Sequence, residues 1–520
     1  MRREDTIMEV VLKSELKKMA RKSSLCRRVV KVLCSFLLGL VLMIAVPLLL
    51  ICMTPFYIFR WIISIVGPKI NPELGKIIHT RGATLAGDDI YEGSPKCIIF
   101  AAGVADGKLP LETFHENSAR VLKSKNPDGT FFHPEFRQCI VKWMGYHFWK
   151  WDKEYKVENH IRFYDGIYAD RIAKEGVTDD IQTLLGAEFI RSPFTPNRSP
   201  WEAFLIHNVI VEGGDPVNKP KSMLVLRIHH SLADGFAVLK VITIDLMIAQ
   251  YERAQADFFR KTLCDKITQG ILYLFKAPFE GAAQIIEAVD FNEWHIPENR
   301  LARDYHTAAT PRIPLDVIKD LKNQHNTSFT CILLAAFAGG IRRFMLANKY
   351  NLPRSIHCLM PLPMPGHPAK MRNHMTLCVI TLPLDVADPL ERLDDVTAEL
   401  ERQRKSSVPI SMFMAGPIFG ALPAALIKAT FKNYATTAVL TFMPGPDRVI
   451  DFLGCPLDDM IYGGGLLAGN CGVGLSSLSY NGAIRMGTAV DTNILSSRDK
   501  VEELIQNIQE ELTILKNIEV

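Results

Sequence analysis

From Val32 to Phe59 the chain runs for 28 residues without a charge, VLCSFLLGLVLMIAVPLLLICMTPFYIF. As a helix this stretch measures about 42 Å, against roughly 30 Å of bilayer hydrocarbon, so it is long enough to enter a membrane fully. A secretory signal has a shorter apolar region and a small-residue cleavage site. Here a long basic-rich segment precedes the run, and Tyr57 and Trp61 lie at its far end, where amphipathic rings suit an interface. The segment is therefore expected to be kept as an anchor over residues 1–70. Pro47 and Pro55 leave two forms open, a kinked span or a hairpin. Arg27, Arg28 and Lys31 favour a cytosolic N-terminal flank. A buried helix of a soluble core is the weaker alternative, because such helices rarely exceed about 20 residues.

The rest of the 520-residue chain must carry the function, and with 48% apolar and 22% charged residues overall it can bury a core divided among more than one domain. Sixty Lys and Arg against 56 Asp and Glu leave a net charge of +4. That is too small for a protein whose affinity rests on neutralising many phosphates, which excludes nucleic acid as the expected partner. The 11 cysteines are scattered without a CxxC pair or metal-ligand spacing, as in a reducing compartment, and read as small buried apolar residues. No repeat or low-complexity tract interrupts the chain.

Met223–Ile228 (MLVLRI) reads as a buried strand and Phe236–Ala249 as a largely buried helix, with HHSLADG between them. Residues 71–250 are expected to form a first lobe, 251–305 an amphipathic crossover, and 306–520 a second lobe. Near the end, Ser496 and Asp499 resemble a capping box. Behind them Val501, Leu504, Ile505, Ile508 and Leu512 mark one apolar helical face that closes the core.

The chemistry points to HHSLADG. His229 and His230 are neighbours at a strand end, so their side chains face opposite ways and cannot easily share one ion. With no HExxH, no nearby carboxylate set and no Cys partner, no metal is expected. A general base is the better role for one of the pair, His230, because a neutral imidazole takes a proton from a hydroxyl as that oxygen attacks an acyl carbon. Asp234 either orients the histidine or pins the loop through an ion pair with an arginine elsewhere, and the structural role is favoured. Gly235 allows a tight turn or close backbone approach at the helix entrance.

Three further stretches take the plainer reading. Gly463, Gly464 and Gly465 lack the Lys-Ser/Thr of a phosphate cradle and read as a turn. Trp149 and Trp151 read as packing rather than an acyl channel. The apolar stretch Ile410–Ile427, broken by Gly416, Pro417 and Pro423, reads as core or a shallow interfacial helix.

HHSLADG fits the HHxxxDG signature of CoA-dependent acyltransferases, and the chain resembles the wax ester synthase/diacylglycerol acyltransferase family over nearly everything behind the anchor. LAGDDIYEG resembles the family's opening segment, and YKVENHIRF, with His160 and Arg162, its FDxxxHVR segment. SPW, with Pro200 and Trp201, is similar to the PLW stretch. Asn373, Leu382, Pro383, Asp388, Pro389 and Arg392 resemble GN…LP…DPxxRL, and TFMPGP with GLSSLSYNGAIRMGTAVD resembles the C-terminal region. Two departures stand out: Thr330 and Cys331 occupy the place of the family's Asn-Asp pair, and the Leu of PLW is absent.

The resemblance implies an α/β, two-lobed, chloramphenicol-acetyltransferase-like fold with mixed sheets, its His motif facing a tunnel between the lobes. It implies an O-acyltransferase that joins long-chain acyl-CoA to a fatty alcohol or diacylglycerol, with acyl-CoA as co-substrate and no cofactor. Thr330 and Asn373 are the candidates for oxyanion or tunnel contacts. A catalytically silent lipid-binding or lipid-transfer protein on the same fold is the alternative, motivated by Thr330 and Cys331. Acyl-CoA supply implies lobes facing the cytosol, with a hairpin anchor in the endoplasmic reticulum, plasma membrane or a lipid droplet. Asn326-Thr327-Ser328 is a usable glycosylation acceptor that reports on this sidedness.

Overall fold

A computed structural model of the chain describes residues 2–210, 220–240, 263–368 and 370–518. Among the described residues, a six-stranded sheet runs in the order Ile450–Phe452, Cys455–Gly464, Ile98–Asp106, Lys221–His229, Trp201–His207, Ile161–Phe163. A seven-stranded sheet runs Met375–Pro383, Ser355–Pro363, Ala438–Pro444, Val473–Tyr480, Ala483–Asp491, Tyr305–Ala309, with Ile313–Pro314 also paired to Ala483–Asp491. These sheets are the two lobes. The apolar run MLVLRI lies inside Lys221–His229, paired on both sides and covered on both faces, which is why it lacks polar alternation.

The second lobe is built around the helix Phe329–Ala347, apolar over most of its length and buried between its sheet and the C-terminal helix Arg498–Lys516. It is long and apolar enough to cross a membrane, but 72% of it is buried, and it serves as core. The two helices approach closely at Gly340, where a Cβ would lie 2.4 Å from the Ile508 Cα. Val501, Leu504, Ile505, Ile508 and Leu512 form the expected buried face of Arg498–Lys516. The helix begins one residue later than expected, with Ser497 at the N-cap. That residue is extended (φ −133°, ψ 151°) and its side chain makes no cap bond, so the Ser496–Asp499 box does not form.

One boundary is corrected. Ile450–Phe452 and Cys455–Gly464 fall in the expected second lobe, yet they extend the sheet of the first, because Cys455–Gly464 pairs antiparallel with Ile98–Asp106 along most of its length. The glycines Gly463 and Gly464 are thus strand residues and not a turn, and Gly463 is small because a Cβ there would meet the Phe100 ring at 2.4 Å. Of the crossover, Leu263–Ala288 is one helix; residues 251–262 lie outside the described residues, as does the expected helix beyond Lys240.

The anchor is also corrected. Arg2–Ile70 is one continuous helix that carries Pro47, Pro55 and Pro68 inside it, so no hairpin forms. Each proline forfeits one backbone hydrogen bond, whereas a turn within an apolar run would strand several polar backbone groups. Its C-terminal part seats on a three-stranded sheet, Leu74–Ile77, Tyr146–Trp151 and Gln138–Trp143, through buried Ile63 and Gly67, the latter against Phe148 and Trp143. Trp149 and Trp151 belong to this sheet and do not line the interlobe cavity.

The close approach at Gly340 makes a direct test of this packing. Gly340→Val is expected to destabilise the protein by roughly 1–3 kcal/mol through overpacking, seen as a lower urea midpoint; an unchanged midpoint contradicts the helix contact.

Candidate active site

His229 ends its strand and His230 begins the turn that leads to the helix starting at Gly235. Their backbones are held from two directions: the His229 amide donates to Pro200 O (2.9 Å) and the His230 amide to Cys97 O (2.7 Å). The side chains then part, as strand geometry requires. His229 is fully buried, with Nδ1 2.8 Å from Ser231 Oγ and Nε2 3.2 Å from Asp88 Oδ2. Burial alone would raise the Asp88 carboxyl; its hydrogen bond with His229 and the amides of Cys97 and Lys96 hold it down at about 2. His229 and Asp88 therefore form a structural pair beneath the site.

His230 faces a cavity of about 930 Å³ between the lobes. Its ring is gripped by the second lobe: Nδ1 lies 2.8 Å from Asn373 Oδ1, and Asn373 Nδ2 donates to the His230 carbonyl at 2.8 Å. The second bond fixes which way the Asn amide points, so its oxygen faces Nδ1 and Nδ1 carries the proton. Nε2 keeps its lone pair and has no protein partner among the described residues. Burial lowers the imidazole below its ordinary 6.5, against the opposing pull of Asp234 and Asn373, so the neutral, proton-accepting form dominates at neutral pH.

Asp234 is held from both lobes. Its carboxylate receives the His367 Nε2 (3.2 Å), the His374 amide (2.8 Å) and the Ala237 amide (2.9 Å), and the cation is a histidine where an arginine was expected. The other His367 nitrogen lies 2.7 Å from Pro368 O, so both ring nitrogens face acceptors. Burial lowers the His367 imidazole, but Asp234 outweighs it and raises it above 6.5. Asp234 thereby staples the stretch that carries Asn373 to the His turn. Gly235 is small where Met443 reaches in from the other lobe, its Cε 2.4 Å from where a Cβ would be.

The remaining expected residues separate cleanly. Pro200 and Trp201 do not line the cavity. Pro200 anchors the His229 amide, and Trp201 stacks on His160 (4.6 Å between rings, 8°) while donating Nε1 to Phe136 O at 2.9 Å. Arg162 and Arg227 flank Glu202 at 3.0 and 2.9 Å. Thr330 is corrected: it sits in the first turn of Phe329–Ala347, capped by Ser328, and is not a cavity residue. Asn373 does line the cavity; its Oδ1 faces His230 Nδ1 and one Nδ2–H donates to the His230 carbonyl, which makes it a clamp on the ring. Sequence reasoning missed His367, for which no motif signal exists, and it gave no sign that the helix Val408–Phe419, within the stretch read as core or a shallow interfacial helix, lines the cavity with Met412, Phe413 and Phe419.

The cavity crosses the whole lobe interface. It is lined by Met375 and Leu377 on one edge strand of the seven-stranded sheet and by Thr307 and Ala309 on the other. Five strand intervals separate these edges, roughly 24 Å. Two mixed-sheet lobes, a tunnel between them and a clamped HHxxxDG imidazole define the class: the chloramphenicol-acetyltransferase-like proteins.

Comparisons narrow this further. Residues 371–516 match the WS/DGAT C-terminal domain. A Mycobacterium tuberculosis protein with the provisional name diacylglycerol O-acyltransferase is 22% identical over 399 residues, 68% of this chain and 74% of its own. Among solved structures, the wax ester synthase/diacylglycerol acyltransferase from Marinobacter aquaeolei VT8 superposes with a TM-score of 0.55 at 15% identity, covering 85% of this chain and 99% of that one. The TRI3 trichothecene 15-O-acetyltransferase from Fusarium sporotrichioides gives 0.56 at 11% identity, over 85% and 94%. The C-terminal part of the chain thus matches the WS/DGAT C-terminal domain, and most of the chain is similar to wax ester synthase/diacylglycerol acyltransferase proteins.

Carbethoxylation of the peptide bearing His230, followed by mass spectrometry across pH, reads the imidazole directly. Its reactivity is expected to fall with a midpoint below 6.5; a midpoint at or above that value contradicts the buried, clamped ring.

Proposed function

We propose that the chain is a membrane-associated O-acyltransferase that esterifies a lipid alcohol, a long-chain fatty alcohol or diacylglycerol, with acyl-CoA to give wax ester or triacylglycerol. The observation that carries this reading is the reciprocal pair of His230 and Asn373, which leaves Nε2 as the basic atom in an interlobe cavity. Nε2 takes the acceptor hydroxyl proton as the oxygen attacks the thioester carbonyl. The tetrahedral adduct collapses, the C–S bond breaks, and the imidazolium returns its proton to the departing CoA sulfur. The thioester is already activated, so no covalent acyl-enzyme, metal or redox cofactor is required.

The names of the mycobacterial relatives support an acylglycerol product. A solved neighbour at 11% identity, the starter condensation domain of rhizomide synthetase, is in complex with C8-CoA, which supports a CoA thioester as donor. The apolar lining contributed by Phe100, Phe189, Leu377 and Phe442 supports alkyl chains on the substrates. The lobes are proposed to face the cytosol, where acyl-CoA is supplied, at the endoplasmic reticulum.

The full chain in phosphatidylcholine vesicles, given long-chain acyl-CoA and a panel of alcohols and diacylglycerols, is expected to form ester, and His230→Ala to lower the rate by about 10²–10⁴-fold. Equal rates in the two proteins reject the base. Sidedness has its own readout. Asn326 is exposed, so a lumenal lobe would acquire a sugar there, and the expected mass is that of the unmodified peptide.

A further inference from the structure

The helix Val408–Phe419 is apolar on both of its sides. One side closes the cavity with Met412, Phe413 and Phe419; outward, Met414 is 64% exposed. A helix of a water-soluble wall would carry charge there, and this one has none. It also bridges the lobes. Thr376 Oγ1 donates to Pro409 O (2.5 Å) from the second lobe, and at the other end Gly420 packs so closely on the Thr80 carbonyl that no Cβ fits.

Both flanks of this helix support the N-terminal apolar helix. The Ser407 amide donates to Glu280 (2.6 Å), next to Phe279, whose ring stacks on Phe36 (5.6 Å) and fills the place of a Cβ on Gly39. Beyond the helix, the Ala424 amide donates to Gly145 O (2.7 Å), in the hairpin whose Trp143 and Phe148 seat Gly67. From Gly39 to Gly67 the apolar helix covers about 42 Å. It therefore runs along the body past Val408–Phe419 and does not project away from it. Between these two docking points its apolar side chains are exposed on all sides, Ile44, Leu48, Leu49 and Ile51 among them, so the helix presents an uncharged surface beside the body.

We propose that Val408–Phe419 is a portal pressed into the bilayer, through which the lipid acceptor passes sideways into the cavity without crossing water. The occupant of the exposed face is the bilayer itself, because both flanks of Val408–Phe419 are tied to the elements that hold a helix too apolar to remain in water. The identity of the acceptor rests on the acyl-transfer reading; the portal does not. This placement keeps the basic N-terminal flank and the lobes on one side of the membrane without a hairpin.

The test uses the full chain in phosphatidylcholine nanodiscs carrying a diazirine-bearing diacylglycerol. Outside the N-terminal apolar helix, photolabel is expected to concentrate on residues 408–431, and Met414→Asp, which alters no cavity-lining residue, to reduce that label at least about tenfold. The same variant is expected to slow turnover of bilayer-resident diacylglycerol by a similar factor while leaving a water-soluble short-chain alcohol unaffected. Label spread evenly over the body, equal slowing of both acceptors, or crosslinking of two chains through Met414 overturns the portal. Label at 408–431 without ester formation by the wild type upholds the portal and rejects the acyl-transfer reading; turnover without such label does the reverse.

Discussion

The site depends on a contact between two sheets: an imidazole from the first lobe and a carboxamide from the second, joined by two hydrogen bonds of 2.8 Å. Either residue alone is unremarkable chemically. Together they fix the tautomer, the ring orientation and the spacing of the lobes, since a shift of one sheet against the other breaks both bonds at once. Asp234 reinforces the arrangement by holding the chain that leads to Asn373 through the His374 amide and His367. The charge of that second tie is titratable. The stabilisation from His367, whose value is raised, is complete below its unfolded 6.5 and fades as pH climbs through its folded value.

Much of the fold was legible because local and global signals agree. Lys221–His229 reads as a buried strand and is one; the C-terminal apolar face is buried as its spacing demands; HHSLADG sits where strand gives way to helix. What could not be read depends on long-range pairing. Nothing in CPLDDMIYGG indicates that it extends a sheet begun more than three hundred residues earlier. Asn373 was visible as part of a pattern, but its role required knowing that it faces His230, and His367 carried no signal at all. Thr330 drew attention through its position in the pattern, while its place in the first turn of the capped helix Phe329–Ala347 leaves it out of the cavity lining.

The anchor shows the same division. Its length and lack of charge are properties of the sequence, and the helix follows from them. Whether two prolines fold it back is a matter of what lies beside it, and here Gly39 and Gly67 dock it against the body at two points. The cavity, the bridging helix and the N-terminal apolar helix thus form one connected arrangement: a site between lobes, walled on one side by an apolar helix whose flanks are tied to the elements that hold the N-terminal one.

The central claim, that Asn373 holds His230 as a neutral base, is tested most directly by the pH dependence of kcat/KM for the wild type beside Asn373→Asp. A carboxylate at Nδ1 stabilises the imidazolium, so the acid limb of the variant should move to higher pH than that of the wild type, whose limb lies below 6.5. Superimposable profiles from the two proteins would contradict the clamp and, with it, the assignment of His230 as the base.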